Sequence, residues 1–323
     1  MLGDIVYHDG TVADADDHET NVAAGKIAIG VCFYIDPNDK TKRLMVSLAD
    51  TKSGGTYWGI TSSNSPVNLI DYPDLNAYDI RQIKNFSTNG FGVTAWSQMR
   101  DEMNGDKDGW KMFLPTQAGS ELGWMTVTLD DAGYTKDEKV PYGKFYQACV
   151  IDTRNKVLED SSLNLPIPTK SDALTETLHL TACIEEVKNT MGLKFTALYF
   201  PRISFCYAYQ PTTKAGLKDE FKAHNWWLPT WGEMARCTYY YQEYKNPNNT
   251  ENAVNPLNIF KKAIDKGIMQ PFKDGAHYYT ITESTSIGQC IGHVAYSNTY
   301  GNWYPASISK HQDNRPTRAI CVF

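Results

Sequence analysis

Residue types capable of chemistry are spread along this chain rather than gathered. The seven histidines lack metal-ligand spacing, and no G-x-S-x-G, H-E-x-x-H, Walker-type or G-x-G-x-x-G pattern is present. Seven cysteines, at 32, 149, 183, 206, 237, 290 and 321, are odd in number and form no CxxC. They fit neither a disulfide framework nor a zinc site, and most are expected as small buried hydrophobes. Cys290 and Cys321 fall on expected strands, so strand register decides whether they meet. His277 and His293 are also expected on paired strands, where two imidazoles without a third ligand make a weak metal site. Glu283 is the carboxylate best placed to pair with an arginine, Arg315 or Arg318, and reads as half of an ion pair rather than as an acid-base catalyst.

What is concentrated is a polar and aromatic stretch near the end of the chain. Residues 296–314 hold Ile308 as their one large aliphatic residue, beside Tyr296, Tyr300, Trp303 and Tyr304. Such side chains supply contact area with few torsions to freeze, together with adaptable hydrogen bonding, as a paratope does. The candidate ligand-binding residues are Tyr296, Ser297, Asn298, Tyr300, Asn302, Tyr304, Ser307, Ser309, His311, Asp313 and Asn314. Trp303 is assigned to packing, and Arg315, Pro316 and Arg318 to the framework. No catalytic residue, metal or cofactor is expected.

Bulk properties narrow the class. A chain of 323 residues buries an ample core without staples, and a net charge of -6 without a basic stripe argues against a nucleic-acid partner. No stretch reaches the roughly twenty apolar residues that cross a bilayer, and Met1-Leu2-Gly3-Asp4 does not open a secretory signal. Aromatics at 12%, with Gly, Pro, Asn and Asp throughout, suit short strands and loops.

The elements that must position the stretch follow in chain order. Ile5-Val6-Tyr7, the turn Asp9-Gly10-Thr11, and the apolar runs 26–35 and 44–48 predict an antiparallel unit over residues 1–60. The acidic segment 14–19 lacks calcium-loop spacing and reads as a solvated loop. Residues 61–168 are weakly periodic, with helices expected near 76–85 and 95–103, and read as a loop-rich insertion or elaboration. From 169 the pattern sharpens. Leu174, Leu178, Leu180, Ile184, Val187 and Met191 lie at helical spacing, with Gly192 as the stop. The run 195–209 reads as a strand. Pro229 ends an extended piece and Thr230 caps a helix, with Glu233 reaching back to close a capping box. Trp226 and Trp227 are expected as anchors between sheet and helix. A second helix is expected over 255–266, with Phe260 and Ile264 inward and Gly267 as its stop.

The landmarks WWLPTWGEM at 226–234, YYTITES at 278–284 and RPTRAICVF at 315–323 resemble those of the C-type lectin-like fold. The branch they are most similar to is shared by formylglycine-generating enzymes, bacterial surface domains with a W-x-L-P-T-x-x-E-M/L motif, and variable proteins of diversity-generating retroelements. The resemblance covers about residues 200–323. The opening GDIVYHDGT with KIAIGVCFYID looks like the N-terminal strands of the same bacterial proteins, which implies that the two termini pair in one sheet. A formylglycine-generating activity would need two reactive cysteines close together near the chain end, and Cys290 and Cys321 are far apart in sequence. A calcium-type lectin would show Glu-Pro-Asn or Gln-Pro-Asp, where this chain has Gln210-Pro211-Thr212. The resemblance to variable proteins implies instead that the C-terminal residues sit on a rigid surface and are diversified by adenine-directed mutagenesis.

The expectation is therefore an α+β chain with small twisted antiparallel sheets, two or more helices and long loops. Residues 169–323 are its lectin-like core and 277–323 its display segment. The expected function is a receptor or adhesin for a protein or glycan ligand on another cell or particle, at a cell or virion surface, with no membrane span of its own. The alternatives are an oxidase-type enzyme and a structural pilus or surface subunit.

Overall fold

The computed structural model describes residues 1–51, 122–127, 133–148, 201–241, 259–273, 276–283, 289–294, 304–309 and 315–323, with the backbone alone for 289–294 and 304–309. It is a mixed helix and strand structure built on small antiparallel sheets. The largest sheet joins the two ends of the chain. Strands β1 (Ile5–Tyr7), β2 (Val12–Ala13), β3 (Ala28–Ile35), β4 (Arg43–Ser47) and β10 (Ile320–Val322) take the order β10-β4-β3-β1-β2. The N-terminal strands and their turn lie where the sequence places them. At the turn, Asp9 accepts from the Thr11 amide at 3.0 Å and Gly10 takes φ +83.

Register explains why both faces of this sheet bury. One row of residues, Ala13, Ile5, Val31, Val46 and Ile320, crosses every strand and is extended by a bridge from Ile320 to Trp227. This row belongs to a core with Met234, Cys237, Phe260, Phe272 and Tyr278. The opposite face contributes Val6, Ile29, Met45 and Cys321 to a second core with Phe145, Ile203, Cys206, Trp226 and Tyr279. At Gly30 a Cβ would lie 2.7 Å from the Met45 sulfur, so a larger residue there would have to displace that side chain. Neighbouring residues of an extended chain point to opposite faces, so the pairs Trp226–Trp227 and Tyr278–Tyr279 each send one ring into each core.

A two-stranded sheet, β5 (Trp124–Thr126) with β6 (Lys139–Pro141), leads into helix α2 over 142–148. Met125, Val127, Val140, Phe145 and Tyr146 join the second core, so this part of the 61–168 region packs with the rest. A three-stranded sheet follows from β7 (His277–Glu283), β8 (Gln289–Val294) and β9 (Tyr304–Ser309), in that order. The helices expected at 76–85, 95–103 and 174–191 lie outside the described residues.

Two expectations need correction. The run 195–209 does not form a strand over its described part: Pro201–Ala208 is helix α3. Pro201 suits a first helical turn, and Arg202, Ile203, Phe205 and Cys206 bury as neighbours at helical spacing, where a strand would bury alternate residues. The acidic segment 14–19 is not a free loop either. Asp14 caps a short 3-10 helix at Ala15–Asp17 by accepting from the Asp16 amide at 2.8 Å, and α1 (His18–Ala23) continues from it. Lys262 pairs with both Asp14 and Asp16, and Lys266 with Asp16 at 3.0 Å. The Asp16 amide holds the Asp14 carboxyl below the usual range, and Lys262 does the same for Asp16.

The partner of Arg318 is Asp50, far off in sequence. The guanidinium is fully buried, bonds Asp50 at 2.9 Å, donates to the carbonyls of Gln270 at 2.6 Å and Pro271 at 3.1 Å, and lies 4.3 Å above the Phe272 ring. The Tyr278 hydroxyl donates to the same Asp50 oxygen at 3.1 Å. Breaking such a pair strands a buried charge. Arg318→Met is expected to lower the unfolding free energy by about 3–5 kcal/mol in urea titration. In a double-mutant cycle with Asp50→Asn, the combined loss should fall short of the sum of the single losses, and simple additivity would show that the pair does not act as a unit.

Candidate binding surface and its junction

The motif 226–234 is where the sheets meet. Trp227 exchanges both backbone hydrogen bonds with Ile320, at 3.0 and 3.1 Å, so the motif runs as an extra strand beside β10. The other edge of the same three residues is closed by a side chain. Gln147 donates to the Trp226 carbonyl at 2.7 Å and accepts from the Leu228 amide at 3.0 Å, as a neighbouring strand would. One residue further, the Pro229 carbonyl accepts from the Ile281 amide of β7 at 2.8 Å. These groups are buried, and a buried backbone donor or acceptor left without a partner costs about 1–3 kcal/mol.

Helix α4 (Trp231–Tyr241) starts at the capping box the sequence announces. The Thr230 amide donates to Glu233 at 2.9 Å, and the Glu233 amide donates to the Thr230 hydroxyl at 3.1 Å. Glu233 does more than cap, a role its position in the motif does not reveal. It is fully buried and also accepts from the Trp227 indole at 3.0 Å and the Gly143 amide of α2 at 3.4 Å. A Cβ on Gly143 would come within 2.5 Å of both Glu233 and Trp227, so α2 seats here only through a glycine. Burial pushes the Glu233 carboxyl up to about 7 against the opposing pull of its N–H donors.

From this junction β7 runs between the two cores, with Tyr278, Tyr279, Thr280 and Ile281 all buried. Its outer edge is held twice, by Ile281 on Pro229 and by Tyr279, whose amide donates to the Pro316 carbonyl at 3.2 Å. Strand β8 pairs with β7, and β9 with β8 along its full length, while α4 packs against all three strands. Tyr304, Ser307 and Ser309 therefore stand on β9, opposite Val294, Ile291 and Gln289. Tyr296, Ser297, Asn298, Tyr300, Asn302, His311, Asp313 and Asn314 lie outside the described residues, as does Trp303.

The other groups singled out in the sequence fall as follows. His277 pairs with Val294 and His293 with Tyr278, one step out of register with each other. Burial, with Arg315 adding to it, brings the half-buried His277 imidazole down to about 4. Cys321 is a free buried thiol on the five-stranded sheet, whereas Cys290 belongs to β8 of the three-stranded one. Burial raises the Cys321 and Cys237 thiols, and pushes those of Cys32 and Cys206 up to about 12. Among the described residues no three metal-ligating side chains gather, and no helix is long and apolar enough to cross a membrane. No family model, no curated protein and no solved structure matches this chain.

Glu233 gives the junction a pH signature. Its carboxyl holds a proton more tightly folded than unfolded, so its contribution to stability is present below about 4.5 and is lost as pH rises toward about 7. His277 works in the opposite sense, adding stability as pH rises from about 4 to 6.5. Glu233→Gln isolates the first effect. The unfolding free energy of the parent minus that of the variant should fall by on the order of 3 kcal/mol between about pH 4.5 and 7 and then level off, measured by urea titration at each pH. A flat difference would contradict the assignment.

Proposed function

We propose that this chain is a ligand-binding receptor or adhesin whose C-terminal segment, residues 296–314, is the contact surface on a rigid C-type lectin-like scaffold. The observation that carries the reading is the double hold on β7. The carbonyls of Pro229 and Pro316 fix its outer edge, β8 pairs with β7 on either side of a register shift between Tyr279 and Glu283, and β9 pairs with β8 residue by residue. A sheet fixed in this way gives the segment a firm root, and a firm root lowers the entropy lost on binding relative to a free loop. Tyrosines and small polar residues on that root supply contact area and hydrogen bonds, and no chemical step is required. Further support comes from the pairing of both chain ends in one sheet and from the capping-box helix that follows Trp226-Trp227-Leu228-Pro229.

The ligand is a protein or glycan on another cell or particle, and the protein acts at a cell or virion surface. The wealth of Asn, Tyr, Ser, His and Asp in the segment supports diversification by a retroelement. Its genomic mark would be a near copy of the coding DNA for the tail, differing chiefly at adenines, beside a reverse transcriptase gene.

The test replaces Tyr296, Tyr300 and Tyr304 together by serine. As surface contacts, each should cost within about 0.5 kcal/mol of stability, so thermal unfolding shifts by a few degrees while binding to a panel of glycans and purified surface proteins is lost. Core tyrosines would instead cost several kcal/mol each. A triple variant that fails to fold, or that folds and binds the panel as the parent does, would overturn the proposal.

A further inference from the structure

Two helices meet on one buried carboxyl. Glu233 caps α4 through the Thr230 amide at 2.9 Å, and it also receives the Trp227 indole at 3.0 Å and the Gly143 amide of α2 at 3.4 Å. Gly143 lies in the first turn of α2, where an amide has no carbonyl of its own helix to bond. The two carboxyl oxygens share the load unequally. Oε2 takes both short bonds, from Thr230 and Trp227, whereas Oε1 takes only the long one from Gly143. All three partners are N–H groups, which suits the ionised form, since a carboxylate only accepts. A carboxylic acid must place an O–H on one oxygen, and that oxygen gives up a lone pair together with the charge that strengthens its bonds. Both lone pairs of Oε2 are engaged, so the proton belongs on Oε1.

We infer that Glu233 is a proton-operated seat for α2: when Oε1 takes up a proton the Gly143 amide lets go, while the Thr230 amide and the Trp227 indole stay on Oε2. The seat is close, since a Cβ on Gly143 would come within 2.5 Å of both Glu233 and Trp227, so the backbone of α2 rests directly on the carboxyl. The second hold on α2 carries no charge. Gln147, one turn on, bonds the Trp226 carbonyl at 2.7 Å and the Leu228 amide at 3.0 Å, and Phe145 and Tyr146 are buried in the second core. Acid therefore loosens the first turn of α2 and leaves the rest of the helix docked. Among the described residues, the titratable and charged groups around Glu233 are Cys237 and Arg236 on α4, Arg318 beyond Cys237, and Lys144 on α2. Burial keeps the Cys237 thiol neutral near pH 7, Arg318 acts on that thiol and Arg236 on Tyr34 of β3, and the Lys144 ammonium bonds Asn225 at 3.3 Å. Burial brings the Glu233 transition up to about 7, so mildly acid and mildly alkaline surroundings fall on opposite sides of it. The seat is independent of the display reading and works whatever the chain binds.

The test follows three N–H groups of the full chain by NMR between about pH 5 and 8.5: the Gly143 amide, the Thr230 amide and the Trp227 indole. Each is read as a hydrogen-exchange protection factor, corrected for the intrinsic rate at that pH. Gly143 should lose protection about tenfold or more on acidification, with a midpoint near 7, while the Thr230 amide and the Trp227 indole change by less than about threefold. The Gly143 amide proton should move upfield with the same midpoint. His277, brought down to about 4, stays neutral over this range. In Glu233→Gln the two short bonds claim the carboxamide oxygen and its NH2 then faces Gly143, so the Gly143 amide should sit at the acid level of protection at every pH and show no transition. Should that variant fold poorly, the titration of the parent chain decides alone. Gly143 protection that does not change across the range would overturn the inference. Loss at Thr230 in its place would put the proton on Oε2, and equal loss at all three groups would mean that the whole junction opens; either result overturns it. A transition that survives in Glu233→Gln would assign the proton to another group and overturn it as well.

Discussion

Three residues of backbone, Trp226 to Leu228, carry the architecture because one edge pairs with strand β10 and the other is closed by a side chain. Ile320 closes one edge with two hydrogen bonds, and the carboxamide of Gln147 closes the other. A buried backbone group has no water to fall back on, so these four bonds fix where the chain end, helix α2 and the motif lie relative to one another. Pro229 then passes the constraint to β7, and β7 to the two strands beyond it. The adjacent indoles of Trp226 and Trp227 fill opposite cores, so the same short piece of chain is also the wall between them.

Two buried ionisable groups brace this arrangement in different ways. Arg318 meets a carboxylate, three backbone carbonyls and an aromatic face, so its charge is compensated within the fold. Glu233 has N–H donors from three directions, two backbone amides and an indole, and its carboxyl is pushed up by burial. Each group ties together segments remote in sequence: Arg318 joins the chain end to Asp50 and 270–271, and Glu233 joins α4 to α2. The cost of burying them is offset by these hydrogen bonds, which a shifted packing would have to replace.

Much of this was legible in local sequence. Thr230 and Glu233 announce a capping box by spacing alone, Gly267 takes φ +69 at the end of helix α5 (Lys261–Asp265), and the strands near each terminus are apolar runs bounded by turn residues. What stayed hidden depends on residues distant in sequence. Gln147, Gly143 and Asp50 sit singly in stretches with no periodicity, and nothing local marks them as partners of Trp226, Glu233 and Arg318. The helix Pro201–Ala208 is not legible locally, because a short aromatic run with Cys and Ala satisfies a strand pattern as readily as a helical one. Of the candidate contact residues, Tyr304, Ser307 and Ser309 fall on a strand, and only long-range register assigns the backbone around them a direction.

The central claim divides the chain into residues that hold and residues that are held, and a saturation scan read by resistance to protease measures that division directly. Positions 296, 297, 298, 300, 302, 304, 307, 309, 311, 313 and 314 should accept most substitutions without loss of the folded state, while Gln147, Trp226, Trp227, Glu233 and Arg318 reject nearly all. Tyrosines at 296, 300 and 304 that prove as intolerant as Trp226 and Trp227 would contradict the account, for they would then belong to the framework rather than to what it presents.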